Sequence, residues 1–189
     1  MEKLAILFAD ICGSTALYEK LGDDAARGLI SRCIALMGSK ISAHQGTLIK
    51  TIGDEIMVTF PSAGAAFHAA CAMQDAVDND LPQDGMTMRI RIGFNYGEVI
   101  NESGDVYGSA VNVAARVAAI TRAGQIMATQ AVFDALASEL PRKHKNLFHT
   151  LSRTSFEQRI ATLRSRLSEL TDHQVMAEMA RLVAAVGDG

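Results

Sequence analysis

Short apolar runs alternating with stretches of helical spacing constrain this chain most. Lys3–Ala9 (KLAILFA) is a buried strand ending at Asp10. Gly13-Ser14-Thr15 follows, with Ser14 or Thr15 able to cap the next helix. Apolar residues then recur at helical spacing (Leu29, Ile30, Cys33, Ile34, Met37, Ile41), with a break predicted at Gly22-Asp23 and an end at Gln45-Gly46. Thr47–Thr51 and Glu55–Phe60 read as two strands joined by a tight turn at Ile52-Gly53-Asp54. An Ala-rich helix from Ser62 to Val77, a strand Met88–Asn95 and a neighbouring strand Gly97–Asn101 come next. The segment between Gly104 and Gly108 is rich in turn residues. A helix spans about Ala110–Thr121, a short strand Gln125–Ala128, and a helix Gln130–Glu139 is stopped by Pro141. Leu147–Leu151 reads as a last strand. Strands, hairpins and helices in this order give an α+β domain with one mixed sheet and flanking helices.

From Ser155 the pattern changes. Ser155-x-x-Gln158 and Thr171-x-x-Gln174 are capping-box patterns. Phe156, Ile160, Leu163, Leu167 and Leu170 form one helical stripe, and Val175, Met179, Leu182 and Val186 another. The expected organisation is a domain over residues 1–150 and a helical C-terminal tail over 151–189.

Composition narrows the function classes. Lys and Arg total 18 against 21 Asp and Glu, a net charge of −3, so no basic face for nucleic acid is expected. No apolar run reaches the length of a membrane span, and the N-terminus carries no signal-peptide pattern. Cys12, Cys33 and Cys71 are odd in number and widely spaced, which suits neither a disulfide framework nor a zinc site. A soluble, cytoplasmic protein without membrane contact in this segment is expected.

Asp10 at a strand end and Asp54 in a hairpin turn converge if those strand ends are neighbours. Two carboxylates so placed suit a pair of Mg²⁺ ions completed by phosphate and water. Each alone has a structural explanation as a turn or helix-start residue. Gly13, Ser14 and Thr15 lead into a helix N-terminus, a favourable place for phosphate. Asp10-Ile-Cys12 departs from the Asp-x-Asp of haloacid-dehalogenase phosphatases, because a cysteine replaces the second aspartate. Neither a Walker-type loop nor Gly-x-Gly-x-x-Gly occurs. Asn112 and Arg116 are one helical turn apart, opposite a packed side expected from Val111, Ala114, Ala115 and Ala118. An arginine suits charge developing on a phosphoryl group, and an asparagine can bond a ribose or phosphate oxygen.

The stretches LFADICGST, LIKTIGDEIMVTF, RIGFNYGEV and GDVYGSAVNVAARV, in that order, make the chain resemble the catalytic domain of class III nucleotide cyclases from Leu4 to about Phe148. The resemblance implies a ferredoxin-like sheet and a head-to-tail homodimer with two composite sites. It implies Asp10 and Asp54 as ligands of two divalent ions, Mg²⁺ or Mn²⁺. Lys50 and Asp105 match the pair that reads the base, and Asn112 and Arg116 the pair that stabilises the transition state. The implied reaction is conversion of ATP to 3′,5′-cyclic AMP and pyrophosphate. Asp10 could also accept the proton of the attacking hydroxyl. ATP is favoured over GTP because Lys50 can donate to a ring nitrogen and Asp105 accept from the 6-amino group, where guanine presents a carbonyl. Family members often carry sensor or membrane domains beside the catalytic one.

The family places a triphosphate-binding lysine near the domain's end; FHTLSRTSFEQ contains none, leaving Arg153, Lys143 or Lys145 as substitutes. The alternatives are a cyclase-like nucleotide-binding and dimerisation module without turnover, or a guanylate cyclase. Cyclic di-GMP synthesis fits less well, since Ile52-Gly-Asp-Glu-Ile56 departs from its Gly-Gly-Asp-Glu-Phe turn.

Overall fold

A computed structural model describes residues 2–81, 88–143, 153–166, 169, 178 and 181. The chain divides into two compact units, Met1–Val132 and Phe133–Gly189. The first contains β1 (Glu2–Cys12), α1 (Ser14–Leu21), α2 (Asp23–Ala43), β2 (Thr47–Ile52), β3 (Glu55–Phe60), α3 (Ala63–Asp80), β4 (Arg89–Glu102), β5 (Asp105–Tyr107), α4 (Ser109–Ile120) and β6 (Ile126–Ala128). The sheet order is β2-β3-β1-β4-β5, with β6 parallel to β4 and the other pairings antiparallel. Its β2-β3-β1-β4 core, with α2 and α3 as connections, is a ferredoxin-like βαββαβ arrangement.

Alternation along the strands fixes which side chains share a face. Leu4, Ile6 and Phe8 of β1 pack with Met57, Val99, Ala110, Ala114 and Ala118. Asp10 follows in the same parity, and its cross-strand neighbours Glu55 and Arg91 share its face. Lys50 pairs with Met57 past a register shift in β2, so it joins that face too.

Two glycines let α4 lie directly on this face. A Cβ on Gly93 would enter contact distance of the Ala118 backbone N and Cα, and one on Gly97 would lie 2.9 Å from Ala110 Cβ. Between them, buried Asn95 donates from Nδ2 to Ala110 O at 3.0 Å and accepts from Thr129 Oγ1 at 2.6 Å. The helix therefore packs small residue against small residue, with its polar contact satisfied.

Several local expectations change. β1 runs through Asp10 to Cys12, because the pairing with Arg89 and Arg91 carries it on. The two strands expected over 88–101 are one strand, β4, held along most of its length by β1. Beyond Val99 it has only β5 as partner, and the residues read as a turn-rich segment form that short strand. Gly13 is the N-cap of α1 in the left-handed region (φ 77°), so neither Ser14 nor Thr15 caps it. Gly22 (φ 77°) breaks α1 from α2 as expected. On α4 the packed side is Ala110, Ala114 and Ala118, and Ala115 is exposed.

α5 (Gln130–Lys143) continues past Pro141, where a stop was expected. In the second unit, α6 (Arg153–Arg166) begins before Ser155, so that residue is not a cap. Its Phe156 and Leu163 are buried, two turns apart on one face. Arg164 lies 3.2 Å from Asp134. The strand expected at Leu147–Leu151 and the second helix beginning at Thr171 lie outside the described residues, apart from positions 178 and 181. Among the described residues no helix is long and apolar enough to cross a membrane.

The Gly93 contact is testable. Gly93→Ala should destabilise the protein by about 1–3 kcal/mol, since the helix backbone must shift. Gly28→Ala, where an added Cβ meets nothing, should be neutral or stabilising by up to about 1 kcal/mol. Urea midpoints of the two variants give the comparison; equal midpoints would mean that α4 does not rest on Gly93.

Candidate active site

At the end of the α4-covered face the sheet turns polar, and a cavity of about 710 Å³ opens there. It is lined from β1 and α1 by Asp10, Cys12, Gly13, Ser14 and Thr15, and from the β2–β3 turn by Asp54 and Glu55. Arg91 from β4 and Arg122 from the turn after α4 complete its charges. The β1–β3 pairing that sets Asp10 opposite Glu55 also brings Asp54, one residue earlier, to the same mouth.

Asp10 is well enclosed, its side chain 14% exposed. Arg91 Nε donates to Asp10 Oδ2 at 2.7 Å, and Nη2 lies 2.6 Å from the same oxygen. Both guanidinium donors thus converge on one carboxylate oxygen. The hydrogen bond to Asp10 holds the Arg91 pKa above its ordinary value. Glu55 is pushed above the usual carboxylate range, first by burial and then by the charge of Asp10, with Asp54 adding to it and Arg91 opposing. The Cys12 thiol is raised above its ordinary value, again mainly by burial. Cys33, on the buried face of α2, is pushed up to about 12 for the same reason.

A second cluster forms where β2 meets the β4–β5 hairpin. Lys50 Nζ donates to Asp105 Oδ2 at 2.6 Å and to Oδ1 at 2.9 Å. Asp105 Oδ1 also accepts the Val106 N–H at 2.8 Å. Lys50 Nζ lies 5.9 Å from the centroid of the Tyr107 ring, within cation–π range. β2 and β5 stand at opposite ends of the strand order. They meet because β4 overhangs β1 beyond Val99 and carries β5 with it.

Asn112 and Arg116 are both exposed, on the side of α4 away from buried Ala114 and Ala118. None of Lys50, Asp105, Asn112 and Arg116 lines the carboxylate cavity. The structure thus joins Asp10, Asp54, Gly13, Ser14 and Thr15 in one place and Lys50 with Asp105 in another.

Residues 1–173 match the family model described as the adenylate and guanylate cyclase catalytic domain. This chain belongs to that family. Among its relatives, a putative adenylate cyclase 3 of Rhizobium meliloti (strain 1021) is 33% identical over 133 residues, 69% of this chain and 22% of the relative. An adenylate cyclase of Streptomyces coelicolor is 30% identical over 142 residues, 74% of this chain and 35% of the relative. The chain therefore spans about a fifth to a third of these relatives' lengths. A solved adenylate/guanylate cyclase/hydrolase from Silicibacter pomeroyi is 35% identical with a TM-score of 0.59, covering 70% of this chain and 78% of that one. An adenylyl cyclase structure from P. aeruginosa gives a TM-score of 0.64 at 27% identity, covering 72% and 81%.

Three residues of this cyclase-family domain escaped the sequence reading. Arg91 stands in a strand where basic and apolar residues alternate, but only the β1–β4 register shows which base faces Asp10. Arg122 is brought to the cavity by the turn after α4, a placement with no local signal. Tyr107 is tied to Asp105 by a side-chain hydrogen bond, which raises the phenol pKa.

That tie gives a pH prediction. Lys50 holds the Asp105 carboxyl below the usual range, with the Val106 N–H adding to the effect. A carboxyl depressed in the folded state contributes stability that is present above its unfolded pKa and lost as pH falls through its folded one. Asp105→Asn should bring the Tyr107 phenol back down towards its ordinary pKa of about 10. Titration of ring-labelled tyrosine by NMR reads this; an unmoved Tyr107 midpoint would refute the coupling.

Proposed function

We propose that this domain is an adenylate cyclase, converting ATP to 3′,5′-cyclic AMP and pyrophosphate at composite sites of a homodimer. The observation that carries the reading is the ion pair of Lys50 with Asp105, a donor beside an acceptor positioned on one chain before any base arrives. Lys50 would donate to an adenine ring nitrogen and Asp105 would accept from the 6-amino group. At the guanine carbonyl, Asp105 would face acceptor against acceptor and be left unpaired, a strong basis for discrimination. The Streptomyces coelicolor relative, itself an adenylate cyclase, supports the same choice.

The carboxylate cavity suits hard divalent cations. Its donors are carboxylate oxygens crowded enough that Asp10 and Asp54 both raise the Glu55 pKa. Among the described residues no three His, Cys, Asp or Glu side chains are gathered closely enough to hold an ion by themselves. Mg²⁺ and Mn²⁺ accept such a site, since substrate phosphates and water complete their shell. Asp10 and Asp54 would hold the ions, which supply a lowered pKa for the attacking hydroxyl and charge neutralisation at the phosphates.

The residues themselves divide the remaining work. The ribose 3′-oxygen bonds to the α-phosphorus, the bond from that phosphorus to the oxygen bridging to the β-phosphate breaks, and the hydroxyl proton is lost as pyrophosphate leaves. Asp10 could receive that proton on Oδ1, since both Arg91 contacts fall on Oδ2. Asn112 would orient the ribose, and Arg116 would meet the charge growing at the α-phosphate. Ser14 and Thr15, with the first N–H groups of α1, would face the phosphates.

The separation of the two clusters supports composite sites. One chain lines its carboxylate cavity without Lys50, Asp105, Asn112 or Arg116. In a head-to-tail dimer the partner would bring those four. This reading places catalysis in residues 1–150 and leaves 151–189 as a helical tail.

Incubation with ATP or GTP and either metal should yield cyclic AMP and pyrophosphate from ATP, absent in Asp10→Ala. No product above that control would leave a nucleotide-binding module, and preference for GTP would make it a guanylate cyclase. Arg116→Ala should lower turnover by about 10²–10³. Mixing Asp54→Ala with Arg116→Ala protein should restore activity through one intact site per mixed dimer. Persistent inactivity despite mixed-dimer formation would exclude sharing.

A further inference from the structure

Under α4 the β4 strand offers little side-chain bulk: Gly93 and Gly97 face the helix, and between them stands Asn95, 6% exposed. The helix face above is equally small, with Ala110, Ala114 and Ala118 turned inward. Such a seat is smooth. The alanines recur every four residues, so dispersion contacts alone distinguish poorly between neighbouring settings of the helix. A hydrogen bond is directional and does distinguish them.

Asn95 supplies that direction. Its Nδ2 donates to Ala110 O in the first turn of α4 at 3.0 Å, and its Oδ1 accepts from Thr129 Oγ1 at 2.6 Å. The Ala110 carbonyl can only accept, which fixes the orientation of the amide and makes the Thr129 hydroxyl the donor. Thr129 is itself anchored. Its N–H donates to Phe94 O at 3.2 Å, beside Asn95 in β4, and its carbonyl accepts from Val132 N–H at 3.1 Å where α5 begins. Asn95 therefore joins β4, the start of α4 and the start of α5 in one continuous chain of bonds. Ala110 stands one helical turn before Ala114, and Asn112 and Arg116 follow it on the exposed side of the same helix.

We propose that Asn95 is a positioning residue for the reaction: by fastening the first turn of α4 to β4 and Thr129, it sets where Asn112 and Arg116 stand in the composite site. The proposal rests on the cyclase reading. Asn95 acts through the helix, not on the nucleotide. A misplacement of about 1 Å at a reacting group can cost about 10²-fold in rate. Arg116 meets charge that exists only in the transition state, so the loss falls on kcat. A residue that merely held the fold together would cost activity whichever chain of the dimer lacked it.

The test uses Asn95→Asp, which keeps the side-chain size but removes the donor to Ala110 O, and Thr129→Val, which removes the donor to Asn95. Both should lower kcat about ten- to a hundredfold with KM for ATP changed less than about threefold. Thr129→Ser, which keeps the hydroxyl, should recover most of the loss. Mixed dimers separate positioning from folding. When Asp54→Ala protein is mixed with Arg116→Ala protein, the Asp54→Ala chain supplies α4 to the working site. Asn95→Asp added to that chain should lower kcat as it does in the homodimer, whereas on the Arg116→Ala chain it should cause no comparable loss. Equal loss from either chain would overturn the proposal, as would an unchanged kcat in the single variants. Hydrogen exchange followed by NMR reads the anchor without turnover. Asn95→Asp should speed amide exchange in the first two turns of α4 about tenfold, as for one lost buried hydrogen bond, with α2 changed less than about threefold. Unchanged α4 exchange would overturn the proposal whatever the activity. The two readings fail separately. Absence of cyclic AMP from the unaltered protein, with α4 exchange responding to Asn95→Asp, would refute the cyclase reaction alone. Cyclic AMP formation with kcat and α4 exchange untouched by Asn95→Asp would refute the role of Asn95 alone.

Discussion

The close approach of α4 to β4 at Gly93 and Gly97 decides much of the rest. Any side chain at Gly93 would strike the backbone at Ala118, so the contact exists only because that strand position has none. Once the helix is seated, Ala110, Ala114 and Ala118 close over Leu4, Ile6, Phe8 and Met57. The helix then ends at Ile120, beside the point where the strands change from apolar to charged. In register terms the change takes a single step of two residues: Phe8, Met57 and Gly93 form the last covered row, and Asp10, Glu55 and Arg91 the first polar one. The cavity sits there because the cover stops there.

The polar row has a charge imbalance that explains its internal pairing. Asp10 and Glu55 lie beside each other across β1 and β3, and Asp54 follows in the turn, against Arg91 from the other side. Burial and the neighbouring carboxylates favour a neutral Glu55, while Arg91 commits both donors to Asp10. The protein alone neutralises this edge only in part. On the proposed reading, cations entering with a phosphate ligand would meet an acidic set that the protein neutralises only in part.

Much of this could be read from the sequence because local chemistry dictated it. The apolar run before Asp10, the Ile52-Gly53-Asp54 turn and the Gly22 break are set by residues within a few positions of each other, and each appears where expected. Long-range pairing wrote the rest. β4 reads as two strands because Gly97 interrupts the run, yet β1 holds it straight to Val99. Asp105-Val-Tyr107 has turn residues on both sides, yet the β4 overhang makes a strand of it. Ala115 looks as packable as Ala114; only the seat on Gly93 and Gly97 determines which alanines turn inward.

The same distinction separates the candidate site residues. Asp10, Asp54, Lys50, Asp105, Asn112 and Arg116 were visible through motifs that couple residue type to a fixed local offset. Arg91 and Arg122 carry no such offset, since an arginine in an alternating strand or a polar turn is ordinary on a protein surface. Their positions acquire meaning only through cross-strand register for Arg91 and through the hydrogen bond from Gly124 to Ile90 for Arg122. Carboxylate ligands must stand at exact turns to share an ion, whereas an arginine can reach a phosphate from several backbone positions, so its place in the chain is free to vary.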